Sequence, residues 1–309
     1  MKTRIRSSCF FLNAYILTSD NMKHILKYNY NLINPTIYKV NGEIRIKDGN
    51  EKYLFQPIKN IKELEEIHKL LIDEGLEDFY YKIIKTKSGK LYITYNSTHY
   101  VLLNHPKNKQ EKIPKTYINN AQCRYPNIIK HNWKDLWIKK KEYIEQNIKN
   151  GSIKIKKEYE DIHEYYMFLA ETAIAYISNV DISDTGQKYV ISSKIQVSEL
   201  KNNPVNIILD SEEREIAEKI KNKMLSDDMS IEYIEKEIEN CIRTNLDIQK
   251  IYSRLIYPNY YYDLLETNLI KEESQIINLY EKIFKYENKI KIIYKMIKKR
   301  KEIKKIDWL

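Results

Sequence analysis

The stretch EYYMFLAETAIAYISNV, from Glu164 to Val180, constrains this chain's fold more than any other. With Ile162 just ahead of it, Tyr166, Leu169, Ala173 and Tyr176 recur at helical spacing. Met167, Phe168, Ala170, Ile174 and Ile177 fill most of the remaining faces. A helix that is apolar nearly all round belongs inside a fold. It would run about 25 Å, and Glu164 and Glu171 argue against a bilayer span. The pattern predicts the central helix of a large domain, with Glu171 a buried acid paired with an arginine, a tyrosine or a backbone donor.

The chain ahead of this helix reads as strands and tight turns. Asn41-Gly42 lies between PTIYKV and EIRIKD, a hairpin signal because both turn residues tolerate positive φ. Asp48-Gly49 precedes KYLFQPI, and Ser88-Gly89 separates FYYKII from LYITY, with YVLLN beyond. Lys62 to Glu74 is an amphipathic helix carrying Leu64, Ile67, Leu70 and Leu71, closed by Gly75. These elements make a small α+β lobe over residues 22–104, and a polar connector with Pro106 and Pro114 spans 105–115. Residues 116–309 form a mostly helical lobe. There Asn132 caps a helix bearing Trp133 and Trp137, one turn apart and read as core. Strand-like YVIS and VNIIL follow the central helix. Ser211 caps a helix with Glu212 and Glu213 in its first turn, and Ser230 starts another running to about Leu255. YPNYYYDLLE begins a further helix, and Glu272 to Lys305 is a long basic one.

The first 21 residues mimic a short secretory signal, with Lys2, Arg4 and Arg6 before CFFLNAYIL. Asn13 interrupts the apolar run, and Met22 opens a second plausible start, so residues 1–21 are expected to be a poorly packed extension. No later run reaches membrane-spanning length, which predicts a soluble protein. Cys9, Cys123 and Cys241 are widely spaced and form no metal-ligand pattern or disulfide framework. The six histidines make no HExxH or HxxxH arrangement. The 53 Lys and Arg against 43 Asp and Glu leave +10, but acids and bases are interleaved, so the excess reads first as compositional bias.

Five segments, in order, resemble one family. IKTKSGKLYITYNSTHYVLLN (84–104), WKDLWIKKKEYIE (133–145), FLAETAIAYISNVDISD (168–184), LDSEEREIAEKI (209–220) and RLIYPNYYYDLLE (254–266) are similar to the spore-coat-associated kinase-like proteins. Those are the spore coat protein S group of the aminoglycoside phosphotransferase and choline kinase superfamily. The resemblance covers roughly Met22 to Ile297. It implies an α+β, two-lobed protein-kinase-like fold, with a strand-rich N-lobe and a helical C-lobe.

Active members of such a fold need a strand lysine for nucleotide phosphates, a flexible covering hairpin, a His-Gly-Asp-type base loop and a metal-binding Asp. Phosphoryl transfer is largely positioning and charge neutralisation, which is why these groups carry charge. Here KYLFQPI offers Gln56 where the lysine is expected, with Lys52 and Lys59 near. The turns at Gly42 and Gly49 lack a GxGxxG pattern. Ser192-Ser193-Lys194 stands at the place of the base loop, and Asn202, Asn203 and Asn206 stand where a metal Asp is expected. Losing base and metal carboxylate together removes the anchor for developing charge.

The remaining candidates have plainer readings. Asp210 reads as a helix cap and Arg214 as the partner of a nearby acid. Asp181 and Asp184 read as a polar turn, and Ser193-Lys194 lacks SxxK spacing. The 27 tyrosines read as core and half-buried residues. No catalytic, cofactor-binding or metal-ligating residue is therefore assigned, and no cofactor is expected. The resemblance implies a catalytically degenerate, kinase-like structural or interaction component, made in the cytoplasm and associated with the bacterial spore coat. Its implied partners are other coat proteins. Two alternatives stay open: an active small-molecule phosphotransferase with substituted residues, and a basic nucleic-acid-binding protein driven by its basic surface.

Overall fold

Val101, Leu102 and Leu103 run together without a polar break because the strand carrying them is covered on both faces. That strand, β6 (Thr98–Asn104), lies inside a sheet ordered β1-β2-β3-β6-β4, with β5 also paired to β6. The others are β1 (Thr36–Val40), β2 (Glu43–Asp48), β3 (Glu51–Ile58), β4 (Lys82–Ile84) and β5 (Ile93–Tyr95). All the pairings are antiparallel. Helix α1 (Ser19–Asn29) places Met22 and Leu26 against one face, where Phe55, Ile93 and Leu102 point. Helix α2 (Ile61–Asp73) places Leu64 against the other, with Leu54, Ile58, Val101 and Leu103. Successive side chains of a strand face opposite ways, which sorts neighbouring residues into separate cores.

The computed structural model describes residues 19–40, 43–104, 113–130, 132–178, 189–194, 202–225, 230–244, 246–266 and 273–300. Most of the expected 1–21 extension, the Asn41-Gly42 turn, most of the 105–115 connector and the Asp181 and Asp184 turn lie outside the described residues. The chain divides into two units. The first joins Met1–Lys115 to two later pieces, Asn120–Ile128 and Ser193–Ile207. The second holds Thr116–Asn119, Ile129–Ser192 and Ile208–Leu309.

Local signals place the helices. Asn60 accepts hydrogen bonds from the N–H groups of Lys62 and Glu63 at the start of α2, and Gly75 leaves it with φ +65°. Short helix α3 (Ala121–Arg124) belongs to the first unit. In the second, Asn132 caps α4 (Trp133–Lys149) by accepting from Asp135 N–H. Then come α5 (Glu160–Ile177), α6 (Glu212–Leu225), α7 (Ile231–Arg243), α8 (Ile248–Ile256), α9 (Asn259–Glu266) and α10 (Glu273–Arg300). A small sheet, β7 (Tyr117–Ile118), β8 (Tyr189–Ser193) and β9 (Ile207–Ser211), accompanies them. The helices share one core in which Trp137 stacks on Tyr257 with ring centroids 4.4 Å apart. Tyr166, Tyr252, Tyr261 and Tyr262 are buried there too, and α10 contributes Ile283, Ile290, Ile293 and Ile297.

Three expectations need correction. Helix α5 is amphipathic rather than enclosed: Ile162, Tyr166, Leu169, Ala173 and Tyr176 are buried, but Phe168 is 48% exposed. Glu171 is exposed and pairs with Lys141 at 3.0 Å. Ala170 and Ile177 are buried and Met167 and Ile174 pack against the core, so Phe168 is the apolar residue of that set left at the surface, where single apolar side chains are common. The helix begun by Ser230 stops at Arg243, and Asp247 caps α8 afresh by accepting from Lys250 N–H. Ser211 does not cap α6: its buried Oγ finds no partner among the described residues, although Glu212 and Glu213 do occupy the first turn.

Candidate functional site

Helix α2 and strand β3 are where two later stretches of chain return to the first unit. Asn120–Ile128 binds the carboxyl end of α2: Arg124 donates to Asp73 at 3.1 Å and Glu74 at 3.2 Å, and Tyr125 OH donates to Asp73 at 2.6 Å. Asn127 donates through its backbone N–H to Glu66 at 2.8 Å and through Nδ2 to the other oxygen. Each acid of this row has a matched donor, which holds the Asn120–Ile128 segment on the helix.

Ser193–Ile207 brings in the residues that stand at the expected base and metal positions. Lys194 pairs its Nζ with Glu63 on α2 at 3.0 Å, and its N–H donates to Asn206 O at 2.7 Å. Asn202 Nδ2 donates to Phe79 O at 2.7 Å, while Asn202 O accepts from Tyr81 N–H at 2.9 Å. Asn203 Nδ2 donates to Gln56 Oε1 at 2.6 Å, and Asn203 Oδ1 accepts from Val205 N–H at 3.1 Å. The strand position expected to hold a lysine thus carries an amide, bonded to a second amide from the loop. In protein kinases the strand lysine pairs with a helix glutamate and carboxylates hold magnesium. Here Glu63 of α2 pairs with Lys194, and the two amides are joined by one hydrogen bond that carries no net charge. Ser192 Oγ is buried and has no partner among the described residues. Among those residues, no three His, Cys, Asp or Glu side chains gather closely enough to hold a metal ion.

In the LDSEEREIAEKI segment Asp210 has a different task from the expected cap. Asp210, 1% exposed, accepts from Trp133 Nε1 at 3.0 and 3.2 Å, from Ser211 N–H at 2.7 Å and from Arg214 at 3.3 Å. Burial pushes its carboxyl upward, opposed by Arg214, Arg254 and the donated N–H groups. Arg214 is therefore the partner of a nearby acid, as its position suggests, and Asp210 is a buried acceptor rather than a helix cap. One turn on, Glu218 accepts from Arg254 at 2.7 Å, and the Arg254 guanidinium lies 4.8 Å over the Trp133 ring. Burial alone would raise Glu218, but Arg254, Lys221 and Arg214 hold it below the usual carboxylate value.

A further turn on, Lys221 donates to Arg254 O at 2.8 Å, Tyr257 O at 2.6 Å and Asn259 Oδ1 at 2.8 Å. This network ties α4, α6, α8 and α9 together. Glu63, Glu218, Lys221 and Arg254 were not singled out by sequence reasoning. A signal existed for two of them, because Glu218 and Lys221 share the face of α6 that buries Ala217, Ile220 and Met224. Charges on an apolar stripe mark paired burial.

A family model described as spore coat putative kinase YutH matches residues 23–299. An aminoglycoside phosphotransferase structure from Alicyclobacillus acidocaldarius aligns with a TM-score of 0.54 at 9% identity, covering 90% of this chain and 95% of that one. The AMP-bound spectinomycin phosphotransferase APH(9)-Ia aligns with a TM-score of 0.54 at 13% identity, covering 89% of this chain and 98% of that one. At such identities the likeness establishes the fold alone, an α+β aminoglycoside phosphotransferase-like one. No curated protein sequence matches the chain. Among the described residues no helix is long and apolar enough to cross a membrane.

Proposed function

We propose, from the premise that this chain belongs to the spore coat putative kinase YutH family, that it is a kinase-like protein without phosphotransfer activity. It acts as a structural or interaction component associated with the bacterial spore coat, with other coat proteins as partners. The family supports the coat assignment, and one local observation supports the loss of chemistry. That observation is the Gln56–Asn203 amide pair, at 2.6 Å.

A transferring phosphoryl group and its magnesium need fixed charges of both signs. Two amides bonded to each other offer neither an ammonium for phosphate oxygens nor a carboxylate for the metal. Lys194, the cation of the returning segment among the described residues, is held by Glu63. What remains useful of such a scaffold is its shape and surface.

The test is a thermal melt of the full chain with magnesium and ATP, beside an aminoglycoside phosphotransferase as positive control. The expected result is no saturable rise in Tm. Ligand at a hundredfold excess over Kd would add about 2.7 kcal/mol, a rise of roughly 5–10 °C for a unit of this size. A rise of that order, saturating with ATP and dependent on magnesium, would overturn the reading.

A further inference from the structure

Among the described residues the sheet of the first unit ends at β4, whose one strand partner is β6. Tyr81 N–H donates away from β6, to Asn202 O. Backbone groups of a strand alternate in direction, so Ile83, two residues on, turns its N–H and C=O to the same outer side. Along that edge runs a groove of about 390 Å³, walled by β4 on one side and by His68, Leu71 and Ile72 of α2 on the other. Ile72 is 47% exposed, a large aliphatic side chain left at the rim. His68 Nε2 is buried and has no hydrogen-bond partner among the described residues. Burial and nearby Lys85 hold its ring below the ordinary histidine range, against Glu77. The groove therefore combines a strand-edge position at Ile83 beyond the Tyr81–Asn202 bond, an apolar wall and a polar nitrogen without a partner among the described residues.

We infer that this groove takes an extended, acidic-apolar peptide segment of a partner protein, which adds a strand to β4. The peptide backbone pairs with the Ile83 N–H and C=O, and an apolar side chain enters between Ile83 and Ile72. His68 Nε2 meets a polar group of the bound segment. Strand addition of this kind draws affinity from main-chain bonds and specificity from side-chain pockets.

Charge selects the occupant. Lys82 on β4 and Lys85 just beyond it are exposed, against one acid, Glu77, at the groove. Lysines on an edge strand disfavour pairing with a second copy of the same strand, and they attract a segment bearing Asp or Glu opposite them. The groove includes none of Gln56, Asn203 and Lys194, so its occupancy and the nucleotide result are independent.

The experiment pans a phage-displayed random decapeptide library on the full-length protein, then measures the enriched peptides, synthesised free, by fluorescence anisotropy. The expected result is enrichment of acidic-apolar sequences. Their affinity should fall about tenfold or more with Ile72→Glu and with the Lys82→Glu/Lys85→Glu pair, while the Tm of each variant stays near wild type. N-methylation at alternate peptide amides should abolish binding, and hydrogen exchange should slow at residues 82–85. The inference is overturned if no peptide is enriched, or if enriched peptides ignore these substitutions. It is also overturned if N-methylated peptides bind unchanged, or if sedimentation shows the chain pairing with itself through this edge.

Discussion

Replacing Lys221 by Met tests whether the buried charge network holds the helical unit together. Lys221 is 2% exposed, and its ammonium donates three hydrogen bonds, to Arg254 O, Tyr257 O and Asn259 Oδ1. They satisfy one of the orphan carbonyls at the end of α8, where a cation is also favoured by the helix dipole. Hydrogen bonds to a charged group contribute about 1.5–3 kcal/mol each, so three give a gross ~4.5–9 kcal/mol. Burying the ammonium costs several kcal/mol in return.

Met fills nearly the same space without that cost but takes the donor away from Arg254 O and Asn259 Oδ1, and leaves Tyr257 O with the Asn259 N–H at 3.0 Å. The net expectation is a loss of about 3 kcal/mol, or roughly 6–12 °C in Tm. Differential scanning calorimetry of Lys221→Met measures it. Lys295→Met, at an exposed position of α10, controls for loss of any lysine charge and should change stability by less than about 0.5 kcal/mol. A Lys221→Met protein within about 1 kcal/mol of wild type would refute the reasoning, because the three bonds would then be no stronger than the hydration they replace.

Two further outcomes follow from the same structure. Glu218 has a folded pKa below its ordinary value of 4.5, because Arg254, Lys221 and Arg214 outweigh its burial. Its share of stability is therefore complete above about pH 4.5 and is lost as pH falls through the lower folded value. Melts from pH 7 to pH 3 should show a shallower acid decline for Glu218→Gln than for wild type, and equal declines would contradict the pairing. Asn60→Ala should cost about 1 kcal/mol by removing the cap of α2, and Asn60→Asp should recover most of it. Urea titration read at both variants checks this, and a neutral Ala substitution would mean the cap is idle.

What the sequence made legible was whatever is written within one element. Alternation marked the strands, Gly75 and Asn132 marked helix ends, and the tyrosine run after Pro258 was correctly assigned to the core. What it did not disclose depended on residues far along the chain. Gln56 and Asn203 are separated by 147 positions, and Trp133 and Asp210 by 77. No local pattern names such partners, so Asp210 looked like a cap and Glu171 like a buried acid. The break between α7 and α8 was hidden for another reason. Ile234, Ile238, Ile248 and Ile251 all reach one core, so the apolar rhythm seems unbroken across the turn. Asp247 was the available clue, since an Asp just before renewed periodicity is a start signal.

The discontinuity of the first unit has a consequence for how the protein is made. A ribosome that has finished Lys115 must still add the chain up to Ile207 before the last piece exists. At roughly 5–20 residues per second, that interval lasts on the order of 5–20 s. During it strands β1 to β6 have all been synthesised while Glu63 has no Lys194 and Gln56 has no Asn203. The amino-terminal half therefore emerges first yet matures late, and a truncated product ending before residue 207 carries a lobe that its own chain never closes.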